Sequence, residues 1–95
     1  MDDKSEFISN QLKSAFKDGE IEYLFAGDLH KFRINHKGPT HWLIIDQVTM
    51  EDHDIDGLQN LIETYHVIDT FMKAEGTYRI LLTPNGIKNV ESPDA

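Results

Sequence analysis

The sequence predicts an α+β fold: a four-stranded, mostly antiparallel sheet with two amphipathic helices, in the order α-β-β-β-α-β. Three observations carry this. Apolar residues recur at helical spacing in two stretches, over 5–18 and from about residue 55 onward. Elsewhere, apolar and polar residues alternate in short runs. Turn residues punctuate the joints, at Gly27-Asp28, Gly38-Pro39 and Pro84-Asn85-Gly86.

From Ser5 to Asp18, Phe7, Ile8, Leu12, Ala15 and Phe16 form one helical stripe. Asp3 with Glu6, or Ser5 alone, can cap its start, Lys13 and Lys17 suit its negative end, and Gly19 stops it. Ile21, Tyr23 and Phe25 then alternate with Glu20 and Glu22, and Phe32 and Ile34 with Lys31, Arg33 and Asn35, which reads as a hairpin. After the turn "HKGPT", the run "HWLIIDQV" is apolar on both faces and is expected to be a central strand. Ile55, Leu58, Leu61, Ile62, Tyr65, Ile68 and Met72 mark one long helix ended by Gly76. "TYRILLT" is the fourth strand, "PNG" a turn and "IKNVESPDA" a weak tail. The whole reads as one domain over residues 1–90, with a loose tail at 91–95.

Composition narrows the function classes. The chain has 95 residues, nine Lys and Arg against 17 Asp and Glu, a net charge of −8, and no cysteine. Disulfides, thiolate nucleophiles and Cys-based metal sites are thereby excluded. The charge opposes phosphate backbones and anionic membranes, so no direct nucleic-acid binding and no membrane association are expected. "MDDKSEFISN" has no apolar run, so it does not read as a signal peptide, and the longest apolar run, "WLII", is four residues. A cytoplasmic location fits this composition.

One motif points to chemistry. "DHDIDGLQNLIE" satisfies D-x-[DN]-x-[DN]-G-x₅-E at every specified position. In a calcium loop Asp52, Asp54 and Asp56 supply side-chain oxygens, Leu58 a carbonyl, Asn60 the ninth position and Glu63 a bidentate carboxylate. Against it, a strand precedes the loop, no second loop exists, Gln59 replaces the usual apolar residue, and the helical stripe already begins at Ile55. Acids at a helix start have a simpler use, since they face its positive end, and Thr49 or Asp52 can cap it. Calcium is therefore the alternative, and no cofactor is the main expectation. On the helix-start reading, Gly57 has no role.

The remaining clusters are weak. His36 and His41 flank "KGPT" and would face each other across a hairpin, but no third ligand is spaced to join them, and His30 is remote. Glu63-x-x-His66 is a single copy of a motif that di-iron bundles use in pairs. Lys31, Arg33 and Lys37 make a short basic edge without interleaved aromatics, best matched to Glu20 and Glu22 across the strands. No nucleophile elbow, zincin helix, P-loop or dinucleotide fingerprint occurs, so no enzymatic activity is expected.

The apolar residues of the last two strands are the main functional clue. Trp42 and Ile44 lie on one side of theirs and Leu43 and Ile45 on the other, while Tyr78, Ile80 and Leu82 oppose Leu81. Either the helices cover opposite faces, or one face meets another molecule. The element order resembles that of double-stranded-RNA-binding domains, with "EDHDIDG" standing where those domains place a basic helix start. With one more strand it is also similar to the small acidic secretion chaperones of bacteria, a resemblance that implies a dimer formed through sheet and helix. The expectation is a small acidic, non-enzymatic protein-interaction domain of regulatory, adaptor or chaperone type. It would bind a protein partner or a second copy through a sheet face holding Trp42, Ile44, Tyr78 and Ile80, or through the acidic helix start. The second alternative, besides calcium, is an acidic nucleic-acid mimic that occupies a basic partner.

Overall fold

The computed structural model describes residues 2–36 and 38–90. Its elements are α1 (Asp3–Ala15), β1 (Glu20–Ala26), β2 (Leu29–Asn35), β3 (Thr40–Asp46), α2 (Gln47–Asp52), α3 (Ile55–Thr64), α4 (Val67–Lys73), β4 (Arg79–Thr83) and β5 (Gly86–Asn89). The α+β class is as expected, but among the described residues the sheet has five strands and the helices number four. The tail expected after "PNG" supplies β5, because Gly86 and the Thr83 side chain close a hairpin that pairs Leu82 with Ile87. Residues 91–95 lie outside the described residues.

Strand order follows chain order, β1-β2-β3-β4-β5. All pairings are antiparallel except β3 with β4, which is parallel because α2, α3 and α4 carry the chain back to the end where β3 began. The first hairpin turns on Gly27 and Asp28, with φ of 57° and 62°, the two left-handed residues that let a two-residue turn match the strand twist. Gly19 is needed for a different reason. A Cβ there would lie 2.7 Å from the Asn35 carbonyl oxygen, so only glycine lets the chain leave α1 this close to β2.

One core holds the fold. Ile8, Leu12 and Phe16 of α1 and its C-cap, Met50 of α2, Leu58, Leu61 and Ile62 of α3, and Val67 and Phe71 of α4 pack with Phe32, Ile34, Leu43, Ile45, Ile80 and Leu82. The strand residues in that cluster share one parity in the register, so all four helices lie against one face of the sheet. Each such side chain stabilises by about 1.5–3 kcal/mol through burial. Lys4 Nζ donates to the Met50 carbonyl at 2.7 Å and ties α1 to α2.

The long helix expected from Ile55 is divided. α2 begins while the third strand was expected to continue, because the Asp46 carboxylate accepts from the Thr49 N–H at 2.7 Å and caps a helix there. α3 then stops at Thr64, and His66 adopts a left-handed conformation with φ 52° and ψ 43°. The break rotates the following turn. Val67 and Phe71 enter the core, whereas Met72, expected on the stripe, is 46% exposed. No helix among the described residues is long and apolar enough to cross a membrane.

Candidate functional site

The face of the sheet away from the helices is built by strand alternation. Its middle row runs Leu24, Lys31, Ile44, Leu81 and Lys88, and the next row Glu22, Arg33, Trp42 and Arg79. Four of the chain's nine cations therefore share one face with a tryptophan and three aliphatic residues. Ile44 is fully buried, Trp42 and Leu81 are half-buried, and Leu24 is 51% exposed. The helical layer carries the opposite charge, with Asp3, Glu6, Glu51, Asp52, Asp56, Glu63 and Asp69 all on helices. Seven acids thus lie on the helices, while the other face of the sheet holds half of the described cations together with Glu20 and Glu22.

Trp42 sits in register between Arg33 and Arg79. The Nε of each arginine is buried and has no hydrogen-bond partner among the described residues. Arg33 also donates through Nη2 to Glu22 Oε1 at 2.7 Å, a partly exposed pair worth little by itself. The expectation that no aromatic residue interleaves with the basic edge is corrected here, since Trp42 lies directly beside Arg33. Lys37 lies outside the described residues.

The four expected interface residues divide between the faces. Trp42 and Ile44 lie on the helix-free face. Ile80 pairs with Leu43 and is fully buried under the helices, with Tyr78 packed against the same core. The parallel crossover sets this register, and hydrophobic alternation within one strand carries no information about it. Arg79, Leu81, Lys88 and Leu24 take their places on the helix-free face, and local pattern gives Arg79 and Lys88 no expected role. The signal that could have found them is parity: Arg79 is two residues from Leu81, on the side of the strand opposite Ile80.

The six residues of the calcium pattern span two helices. Asp52 ends α2, Asp54 caps α3, and Asp56, Leu58, Asn60 and Glu63 lie along α3 itself. Asp54 Oδ1 accepts from the Gly57 N–H at 2.7 Å, and Glu63 Oε1 from Gln59 Nε2 at 3.0 Å. Among the described residues no group of three or more His, Cys, Asp or Glu is placed to hold a metal ion. The caps are Asp46 and Asp54, in place of the expected Thr49 and Asp52, and α1 is capped by Asp2 through the Ser5 N–H at 2.7 Å. That bond holds the Asp2 carboxyl below the ordinary carboxylate range. Two adjoining shallow clefts bring Asp2, Asp3, Glu51, Asp54 and Asp56 together around Lys4, so the starts of α1 and α3 and the middle of α2 form one acidic edge.

Two buried histidines are engaged internally. His30 Nδ1 lies 2.6 Å from Tyr23 Oη, and its Nε2 faces Gln47 Oε1. An amide oxygen only accepts, so Nε2 donates to Gln47, and Nδ1 shares the second hydrogen bond with the tyrosine hydroxyl. Gln47 Nε2 in turn donates to Glu51 Oε1 at 2.8 Å. His41 Nδ1 accepts from the Tyr78 N–H at 3.1 Å, and its ring stacks on Phe71 at 5.2 Å. Burial, and secondly the nearby His36, hold the His41 imidazole below its ordinary range. His36 and His41 do not face each other. His41 pairs with Ile34, while His36 donates its N–H to the Pro39 carbonyl and lays its ring edge against Phe16. Against known proteins, the chain matches no family model, no curated protein and no solved structure.

Proposed function

We propose that the chain is a small non-enzymatic protein-interaction domain whose helix-free sheet face receives an acidic, partly apolar segment of a protein partner. The observation that carries this is Trp42 between Arg33 and Arg79 on a face that no helix covers. A carboxylate-bearing segment would complement the charge of Arg33 and Arg79, whose Nε atoms have no partner among the described residues, while Trp42, Leu81 and Leu24 supply apolar contact area. Charge complementarity favours such a partner over a basic one. A non-catalytic role agrees with the use of His30 and His41 in internal hydrogen bonds.

Selection of short random peptides on the immobilised protein tests this. The proposal expects enrichment of Asp and Glu with Leu, Ile or Phe. Binding should move the amide signals of Arg33, Trp42 and Leu81, weaken with salt, and be lost on Trp42→Glu. Single-stranded oligonucleotides, tested alongside, should not displace the peptide. Displacement at physiological salt would replace the protein partner with a nucleic acid.

A second reading rests on the acidic edge around Lys4. There the chain would act as an acidic mimic and occupy a basic partner. Enrichment of Lys- and Arg-rich peptides that move Asp3, Glu51 and Asp54 would favour it over the sheet face.

A further inference from the structure

We propose that β1 is a pairing edge for a second copy of this chain, giving a two-fold dimer in which two β1 strands join antiparallel and the two five-stranded sheets become one. The inference does not rest on the partner assigned to the sheet face, although Leu24 belongs to both surfaces.

The hydrogen-bond parity of the sheet decides which groups of β1 are on offer. Gln47 N–H donates to the Asp28 carbonyl, and His36 N–H to the Pro39 carbonyl. Even-numbered residues of β2 therefore direct their backbone groups to β3, and odd-numbered ones to β1. Leu29, Lys31, Arg33 and Asn35 engage Ala26, Leu24, Glu22 and Glu20. Ile21, Tyr23 and Phe25 consequently point their N–H and C=O groups outward, away from the sheet.

Apart from the exposed Glu20 and Glu22, this edge lacks, among the described residues, the features that ordinarily prevent strand addition. β1 is seven residues long, pairs continuously without a bulge, and contains neither Lys nor Pro. Leu24 and Phe25, adjacent on it, are 51% and 48% exposed. The opposite edge, β5, is shorter, at four residues, and carries Lys88.

The strand is also self-complementary. With Tyr23 opposite Tyr23 of the second copy, Ile21 faces Phe25 in both directions, and all three outward-pointing residues of each strand find partners. Leu24 then lies opposite Glu22, and no two acids meet. Parallel pairing in register would set Glu20 and Glu22 against their own copies, which like-charge repulsion disfavours.

Sedimentation at micromolar concentration, with amide exchange read by NMR, tests the inference. The chain should be a dimer, and the Ile21, Tyr23 and Phe25 amides should be protected at high concentration and exposed on dilution. Leu24→Glu should weaken the dimer about tenfold or more, because the new carboxylate meets Glu22 twice across the axis, while its in-register neighbour Lys31 keeps the monomer folded. Leu24→Lys should retain the dimer. Phe25→Pro removes an outward N–H, together with a ring that packs on His30, and should abolish pairing without opening the β1–β2 ladder. A monomer with rapidly exchanging Tyr23 and Phe25 amides would overturn the inference. So would a dimer that persists unchanged in both Leu24→Glu and Phe25→Pro. Loss of peptide binding in Trp42→Glu with the dimer intact separates this edge from the sheet face.

Discussion

Asp54 and Gly57 form one unit: the Asp54 carboxylate caps the Gly57 N–H at 2.7 Å, and a Cβ on Gly57 would lie 3.2 Å from that same Oδ1. The glycine that the sequence left without a role makes room for the capping side chain and for His53, whose Cβ would be 3.4 Å away. Asp54→Ala should therefore cost about 1 kcal/mol. For a domain of this size that lowers Tm by roughly 4–8 °C. Gly57→Ala should bring less than the ~1 kcal/mol that alanine ordinarily gains in a helix, because the cap must shift. Urea unfolding of both variants measures this, and a full alanine gain would show that the cap is unconstrained.

The same geometry bears on calcium. Ion binding to the native state alone would raise stability by about 2.7 kcal/mol at a hundredfold excess over Kd. With Asp54 engaged as a cap and Asn60 and Glu63 on successive turns of α3, millimolar Ca²⁺ should leave Tm unchanged. A rise of several degrees that Glu63→Gln removes would instead establish the loop as a metal site.

The break at His66 sets which residues carry α4. Phe71 is 1% exposed and Met72 46%. Phe71→Ala should cost about 3–5 kcal/mol, and Met72→Ala about 0.5 kcal/mol or less. Comparable losses at the two positions would indicate that the helix continues through residue 66 on its original stripe.

His41 gives stability a pH dependence of known sign. Its folded-state pKa is depressed, chiefly by burial, and its neutral Nδ1 accepts from Tyr78. As pH falls below the unfolded value of about 6.5, the unfolded chain takes up a proton before the folded one does. Stability from this group is complete above that pH and declines as pH drops from there toward the folded pKa. Urea unfolding at a series of pH values should show a shallower slope for His41→Asn than for the parent chain. Identical slopes would assign the acid sensitivity to other groups.

Local pattern determined a good part of this protein. The stripe Ile8, Leu12, Phe16 made α1, the alternation of Tyr23 and Phe32 with charged neighbours made the first hairpin, and Gly27-Asp28 set its turn. These features were legible because each depends on residues a few positions apart. The interior place of β3 was legible for a related reason, since a strand apolar on both sides is expected away from the sheet edge. What only tertiary structure decided involves pairing across the chain. The capping carboxylates of Asp46 and Asp54, the left-handed turn at His66 and the fifth strand were chosen by what each buries or bonds, not by propensity. Above all, the parallel register of β3 with β4 placed Arg79 beside Trp42 and Ile80 beneath the helices. A shift of one residue would exchange those two faces, and within β4 only Arg79 opposes it, because Leu81 on one side and Ile80 and Leu82 on the other are all apolar. Packing of Ile80 and Leu82 against the helices supplied the free energy that selected the register, and with it the composition of the candidate site.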